Sequence, residues 1–156
     1  MKKMNNKGFS LVELIIVIAI MAILIVVLAP QYLKYVEKSR NSTDVSNATE
    51  MVTAMQVYAA DPDVASTDAF AGGKSFTITV SSTGTAVTGD NATAANKAFT
   101  AAGLKTDTTC VSKTNWTSYT IVGAVQSNGS IDFTYSAAGG SDASAFANLM
   151  SGKSGT

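Results

Sequence analysis

The chain has 156 residues, 46% of them apolar and 14% charged, and its 11 basic side chains are balanced by 11 acidic ones. This neutral balance argues against a specific nucleic-acid partner, because nucleic-acid-binding domains neutralise phosphates with clustered Lys and Arg. The sequence has no His and a single cysteine, Cys110, which excludes His-dependent catalytic pairs, His-ligated metals and an internal disulfide. We therefore expect neither an enzyme nor a cofactor.

The apolar residues concentrate near the N-terminus. Residues 14–29 are 16 consecutive apolar side chains, within a weakly broken apolar stretch of 21 residues, 9–29. As a helix, this stretch would be about 31 Å long, close to the roughly 30 Å hydrocarbon thickness of a bilayer, and it exceeds the apolar core of about 7 to 15 residues of a secretory signal peptide. The basic side chains that precede it predict a cytoplasmic location for that end: Lys2, Lys3 and Lys7.

A helical pattern continues beyond the apolar run. In residues 31–60, apolar side chains recur at spacings of three and four and fall on one helix face: Val45, Ala48, Met51, Val52, Met55, Tyr58 and Ala59. Asp61 precedes Pro62, and the residue before a proline is disfavoured in a helix. We therefore predict one helix from about Phe9 to Ala60, whose second half is amphipathic.

Two weak points are predicted in this helix. Pro30 removes one backbone hydrogen bond and crowds the carbonyl of Val26, at a cost of about 3 kcal/mol or more in an ordinary helix, so we expect a kink there. The polar residues 41–44 are the second weak point, because their side chains compete for backbone hydrogen bonds.

The remaining residues, 61–156, are polar and small, and period-two alternation predicts three half-buried strands among them. The predicted strands are residues 74–80, 119–125 and 131–135. Between the last two, Asn128-Gly129 favours a type I′ hairpin turn. The last two strands are therefore expected to pair in antiparallel fashion.

Two short helices are predicted in the same region, at residues 91–102 and 142–150, and each ends near a glycine. The predicted fold class is α+β. A long N-terminal α-helix would pack, through residues 31–60, on a small antiparallel β-sheet head formed by residues 61–156.

Glu13 is the exception within the apolar stretch. A charged side chain at the centre of a spanning helix costs about 2.5 to 3.5 kcal/mol, and less near its edge, so Glu13 needs a partner or a function. A plain membrane anchor accounts for the other residues but not for this one. A cation from a neighbouring chain would pair with the carboxylate and fix the axial register between staggered helices.

The stretch Gly8-Phe9-Ser10-Leu11-Val12-Glu13-Leu14, followed by an apolar helix with Pro30, closely resembles the class III signal sequence of type IV pilins and the related pseudopilins. The resemblance implies that a prepilin peptidase cleaves between Gly8 and Phe9 and methylates the new amine of Phe9. It also implies that Glu13 pairs with this amine in a neighbouring copy during filament assembly. Pro30 is similar to the helix-kinking proline of the family.

The resemblance divides the chain into four segments. Residues 1–8 would be the leader, similar in length to that of the type IVa subclass, and residues 9–30 the transmembrane and filament-core helix. Residues 31–60 would be the amphipathic helix packed on the head, and residues 61–156 the globular α+β head. The motif itself covers roughly residues 7–35, so the head agrees with the family only in its architecture.

The function implied by the resemblance is that of a major structural subunit of a type IV pilus, used for adhesion, motility or biofilm formation. A pseudopilin of a type II secretion or DNA-uptake system is the alternative. The implied partners are further copies of the chain, the prepilin peptidase, an assembly platform with its ATPase motor, and the membrane before assembly. The chain would be a single-pass protein of the inner, or cytoplasmic, membrane and then part of a pilus on the cell surface. Because the lone Cys110 cannot close the C-terminal disulfide of many Gram-negative pilins, the chain is more similar to pilins of Gram-positive clostridia.

Some residues of the head allow two interpretations. Asp61, Asp63 and Asp68 offer oxygens for calcium but lack the glycine of an EF-hand loop, and a solvated turn is the alternative. Cys110 is typical of a small buried hydrophobe, with an intermolecular disulfide as the alternative.

The aromatic residues Trp116, Tyr119 and Phe133 are interpreted as core residues rather than as a stacking surface for DNA or sugar. Five Asn-x-Ser/Thr sequons are attributed to chance in a chain rich in Ser and Thr, rather than to glycosylation: Asn41, Asn47, Asn91, Asn115 and Asn128.

Overall fold

The structure is a computed structural model of the chain and describes residues 8–152. These residues belong to two compact units that divide after Val36. Helix α1, Leu11–Ala60, contributes residues to both units. The other helices and all strands belong to the second unit.

Helix α1 confirms the predicted long helix and its end. It begins at Leu11, two residues later than the predicted start at Phe9, because Ser10 lies outside the helix as its N-terminal cap. It ends at Ala60, shortly before Pro62, which lacks the N–H needed to continue a helix.

The two predicted weak points lie within continuous helix. Pro30 is an internal residue of α1, and the kink expected there stays a prediction. Residues 41–44 are helical as well, and the hydroxyls of Ser42 and Thr43 donate to carbonyls four residues earlier, at 3.0 and 3.1 Å. Hydroxyls that bond back in this way leave the helical pattern intact.

In the first unit, helix α1 is uncovered. Every side chain from residue 8 to residue 35 is exposed, and an 18-residue window has a mean hydropathy of 3.4. Within the described chain, α1 is the one helix long and apolar enough to cross a membrane. Because burying one large aliphatic side chain is worth about 1.5 to 3 kcal/mol, this surface needs lipid or protein to cover it.

The second unit contains a four-stranded antiparallel sheet. Its strands are β1 (Ser75–Ser81), β2 (Gly84–Thr88), β3 (Ser118–Val125) and β4 (Ile131–Ala138). They are ordered β2-β1-β3-β4 across the sheet. Strands β1, β3 and β4 confirm the predicted segments, whereas β2 is absent from the prediction because Val87 is its one large apolar residue.

Two short helices accompany the sheet, as the sequence predicts. Helix α2 spans Ala92–Ala101 and helix α3 spans Ser144–Met150. Gly103 and Gly152 follow them with φ of +70°, a left-handed conformation that favours glycine after a helix. The described chain therefore has the predicted α+β fold.

The turn between β3 and β4 differs from the predicted type I′ turn. Gln126 donates its N–H to the Ser130 carbonyl at 2.8 Å, and Gly129 donates to the Gln126 carbonyl at 3.0 Å. Gly129 has a φ of +85°, but Asn128 does not have a positive φ, and a type I′ turn requires it at both central residues. The loop is a three-residue one, residues 127–129, in which glycine alone takes the left-handed conformation.

The core lies between the second half of α1 and the inner face of the sheet. From α1 it takes Ala48, Met51, Val52 and Met55. From the sheet it takes Phe76, Ile78, Val80, Tyr119, Ile121 and Val125. Trp116 is fully buried and the half-buried Phe133 packs against this cluster, so the core interpretation of the aromatic residues is confirmed.

Gly123 on β3 makes room for an aromatic ring of β1. Phe76 is its partner in the antiparallel register, and a Cβ at position 123 would overlap the Phe76 ring. The ring also packs against Phe70 and Phe133, with centroids 5.1 and 6.3 Å away. This close approach is a physical reason for a glycine in the middle of a central strand.

Candidate functional site

Ser10 and Glu13 form a capping box at the start of α1. Glu13 Oε2 accepts a hydrogen bond from the Ser10 backbone N–H at 2.8 Å, and Ser10 Oγ accepts one from the Val12 backbone N–H at 3.3 Å. The signal for this arrangement, Ser-x-x-Glu directly before an apolar run, is present in the sequence. Sequence reasoning missed it because Glu13 was assigned to intermolecular pairing alone.

The capping box holds the Glu13 carboxylate at the N-terminal end of the helix. Negative charge there interacts favourably with the helix dipole, by about 0.3 to 1 kcal/mol at an exposed site. In the described part of the chain, no hydrogen bond reaches Glu13 Oε1. One carboxylate oxygen is therefore satisfied within the chain and the other can accept from a further donor.

Gly8, Phe9 and Glu13 all lie at this exposed helix end. Phe9 is 93% exposed, and nothing lies within 4 Å of the position a Cβ would take at Gly8. No described residue therefore covers the peptide bond between Gly8 and Phe9. Pro30 lies further along α1 and takes no part in this end.

A second polar site lies in the second unit, where buried carboxylates of α1 hold a loop that precedes β3. We call residues 110–116 the anchored loop. Asp44 Oδ1 accepts a hydrogen bond from the Val111 backbone N–H at 2.8 Å. Its Oδ2 accepts from the Ser112 backbone N–H at 3.0 Å and from Trp116 Nε1 at 2.9 Å. Asp44 is fully buried, so these hydrogen bonds replace the water that its charge loses on folding.

Glu37 binds the other half of the anchored loop. Its Oε1 accepts a hydrogen bond from Ser112 Oγ at 2.7 Å and from three successive backbone N–H groups at 2.7 to 3.2 Å, those of Lys113, Thr114 and Asn115. Its Oε2 lies 3.4 Å from Arg40 Nη1. Burial raises the pKa of Glu37, but the hydrogen bonds from Ser112 and the three amides outweigh it and lower the pKa to about 2.

Glu37, Asn41 and Asp44 extend the buried face of α1 beyond its apolar part. They lie at spacings of four and three residues, and Ala48 follows four residues after Asp44. Sequence reasoning treated residues 41–44 as a weak point and missed this role. The signal was available, because the three polar residues continue the spacing of the apolar stripe.

Cys110 is a buried member of the anchored loop. It is 3% exposed, and its Sγ donates to Asp44 Oδ2 at 3.3 Å. Burial, reinforced by the negative charge of Asp44, raises the pKa of the Cys110 thiol to about 12. The thiolate, which is the reactive form, is therefore disfavoured, and the interpretation of Cys110 as a small buried residue is confirmed.

The acids considered for calcium do not converge. Asp61 accepts a hydrogen bond from the Asp63 backbone N–H at 2.9 Å, which is typical of a turn, and Asp68 forms an ion pair with Lys97. Across residues 8–152, no group of three or more metal-ligating side chains is present. These contacts favour the solvated-turn interpretation.

Two of the five sequon asparagines are buried. Asn41 is 7% and Asn91 is 3% exposed. The Asn91 amide also donates to the Ala71 carbonyl and accepts from the Ala71 N–H, at 3.0 and 2.9 Å. Neither side chain is accessible for glycosylation in the folded second unit.

Comparison with known proteins gives a partial but specific match. Residues 3–29 match the family model described as the prokaryotic N-terminal methylation motif. The chain is 41% identical over 59 residues to the type IV major fimbrial protein FimA of Dichelobacter nodosus, which is 38% of each chain. It is 34% identical over 59 residues to the type IV major pilin protein PilA of Myxococcus xanthus (strain DK1622), which is 38% of this chain and 27% of that one. The N-terminal region of this chain is therefore similar to that of type IV pilins.

The pilin-type matches cover 38% of this chain. The chain spans 38% of the length of FimA and 27% of the length of PilA, and no solved structure matches it. These relatives do not confirm the resemblance to clostridial pilins, which stays a prediction. The motif does include Gly8, Phe9 and Glu13, so it coincides with the capping box and with the uncovered part of α1.

Proposed function

We propose that the chain is the precursor of a major pilin, a structural subunit of a type IV pilus and not an enzyme. The observation that carries the proposal is the coincidence of the methylation motif with a helix whose side chains are exposed from residue 8 to residue 35. A surface of that composition is stable only where lipid or other apolar helices cover it. Polymerisation supplies this cover outside the membrane.

Processing of the precursor produces the group used in assembly. A prepilin peptidase removes the leader, residues 1–8, by cleaving between Gly8 and Phe9, and the new amine of Phe9 is then methylated. The uncovered Gly8–Phe9 bond supports this step. Gly8 is the residue that the peptidase requires.

The amine of Phe9 in one copy then pairs with Glu13 of a neighbouring copy. The capping box occupies Glu13 Oε2 through the Ser10 N–H, and Oε1 accepts the amine. At about 4 Å and an effective dielectric constant near 20, such a pair is worth of order 4 kcal/mol before desolvation is subtracted. The pair fixes the axial offset between copies. Apolar contact alone does not select one offset, because uniform apolar surfaces contact one another equally well at many offsets.

Residues 9–30 span the cytoplasmic membrane once before assembly and form the filament core afterwards, where Pro30 loosens the helix. Moving apolar surface from lipid to other copies is nearly neutral in free energy, so extraction requires an assembly platform and an ATPase motor. The resulting surface pilus serves adhesion, motility or biofilm formation. Relatives named as a major pilin and a major fimbrial protein favour this function over that of a secretion or DNA-uptake pseudopilin.

Mass spectrometry and electron microscopy of filaments sheared from cells test the proposal. The chain is expected to be their bulk component, to begin at Phe9 and to carry one methyl group on its amine. Gly8→Leu is expected to retain the leader and to abolish filaments, whereas the matched leader substitution Asn6→Leu leaves cleavage intact. Recovery of the wild-type chain solely as dispersed molecules with residues 1–8 attached contradicts the proposal.

A further inference from the structure

The second unit carries an open apolar groove between α1 and α2. Its volume is about 530 Å³, and its walls are mainly small or branched apolar residues that include Ala54, Val57, Ala98, Ala101 and Leu104. Val57 is 66% exposed although its side chain is aliphatic. Exposed apolar concavities of this kind mark binding sites.

The rim of the groove is acidic. Glu50 and Asp61 both line it and both are exposed. Within residues 8–152, neither carboxylate takes part in an ion pair. Their charge repels the anionic headgroup of a lipid and favours an occupant that combines apolar side chains with a cation.

Among the described residues of the first unit, one segment has this combination. In the described part of the first unit, the one cation is Lys34, and its neighbours Leu33 and Tyr35 are 65% and 72% exposed. Residues 14–29 are equally uncovered but carry no charge, so they would leave the rim acids unpaired. Uncovered apolar surface and positive charge therefore coincide at residues 32–35.

We propose that the groove between α1 and α2 receives residues 32–35 of a second copy of the chain, with Leu33 against Val57 and Lys34 at Glu50. The alanines in the groove wall suit this occupant, because small side chains let a second helix approach closely. The inference rests on the proposed pilin function and adds to it a contact made by the head.

Each copy then offers one groove and one segment that fills a groove. Two different surfaces form this contact, so it is heterologous, the type of contact that extends from copy to copy when the rotation between copies does not close a ring. It uses neither Phe9 nor Glu13. The groove contact and the amine–carboxylate pair can therefore be removed separately.

Engineered cysteines test the contact in assembled filaments. With Leu33→Cys and Val57→Cys in the same chain, mild oxidation of sheared pili is expected to give a ladder of disulfide-linked multimers on a non-reducing gel. Each single variant is expected to give monomer. Leu33→Cys combined with Gln56→Cys is the matched control, because Gln56 is exposed on α1 but does not line the groove.

A charge exchange tests the ion pair independently. Glu50→Lys and Lys34→Glu are each expected to reduce the number of filaments, and the double variant is expected to restore it. Thermal unfolding of the Glu50→Lys precursor in detergent is expected to match that of the wild type, because Glu50 is exposed and has no ion-pair partner in the described chain.

The outcomes separate this contact from the function on which it rests. Filaments that form in the Leu33→Cys, Val57→Cys variant without a ladder, or an equal ladder with Gln56→Cys, overturn the groove contact and leave the pilin function standing. A lipid acyl chain resolved in the groove of the filament also overturns the contact. A wild-type chain that is never incorporated into filaments overturns the proposed function itself.

Discussion

The indole Nε1 of Trp116 donates a hydrogen bond to Asp44 Oδ2 at 2.9 Å, across 72 positions of the chain. Both side chains are fully buried. The anchored loop that contains Trp116 belongs to no helix or strand, so its conformation depends on contacts of this kind. One carboxylate on α1 therefore positions the largest side chain of the core.

Asp44→Asn is expected to lower the free energy of unfolding by about 1 to 3 kcal/mol. The amide replaces one acceptor oxygen with a donor that faces backbone and indole N–H groups, and a buried polar group left unsatisfied costs about 1 to 3 kcal/mol. Unfolding of the full chain in detergent, followed by the fluorescence of Trp116, measures the change. Ser46→Ala, an exposed substitution on the same helix, is expected to stay within about 0.5 kcal/mol of wild type. Equal stability of the two variants contradicts the anchoring role of Asp44.

The lowered pKa of Glu37 makes stability depend on pH. Hydrogen bonds in the folded chain lower it from 4.5 to about 2, so the contribution is fully present above the unfolded pKa and is lost as the pH falls from about 4.5 toward 2. The difference between these two pKa values corresponds to roughly 3 kcal/mol of stability. The stability gap between wild type and Glu37→Gln is expected to shrink between neutral pH and about pH 3. A gap that is constant with pH shows that the charge of Glu37 contributes nothing.

Much of the fold follows from periodicity in the sequence. Spacings of three and four predict α1 up to Ala60, and period-two alternation predicts three of the four strands. Strand β2 could not be predicted in this way. Val87 is its one large apolar residue, so the sequence shows no alternation of apolar and polar side chains there. The predicted type of the hairpin turn is wrong, because Asn128-Gly129 lies in a three-residue loop rather than in a two-residue one.

The anchored loop could not be predicted in the same way. Glu37 binds backbone N–H groups 76 to 78 positions away, and a backbone donor is common to almost every residue type. Which amides converge on a carboxylate is therefore decided by tertiary structure. The capping box at the start of α1 differs in this respect. Because Ser10 and Glu13 are only three residues apart, their contact is local and can be predicted from the sequence.

Cys110 is expected to resist alkylation in the folded chain. Burial and the nearby Asp44 raise its pKa to about 12, so almost no thiolate exists at neutral pH, and 3% exposure leaves little access for a reagent. Iodoacetamide labelling followed by mass spectrometry is expected to modify Cys110 only after the chain is unfolded. Rapid labelling of the native protein, or a disulfide-linked dimer through Cys110, contradicts its buried position.

The capping box allows two roles of Glu13 to be separated. Glu13→Gln retains an acceptor that can cap the helix but has no charge to pair with an amine, whereas Glu13→Val loses both. Both variants are expected to be cleaved after Gly8, since the peptidase acts on the bond before Phe9. Neither is expected to form filaments if the ion pair is the function of Glu13, and electron microscopy of cells together with the N-terminal mass of the chain measures both results.

Ser10→Ala provides the complementary control. It removes the Ser10 Oγ half of the capping box, at a cost of about 0.5 to 2 kcal/mol, but it leaves the carboxylate of Glu13 in place. Filaments are therefore expected from Ser10→Ala and not from Glu13→Gln. The opposite pattern, with filaments from Glu13→Gln and none from Ser10→Ala, assigns Glu13 to helix capping within one chain, because the variant that keeps the cap assembles without the charge.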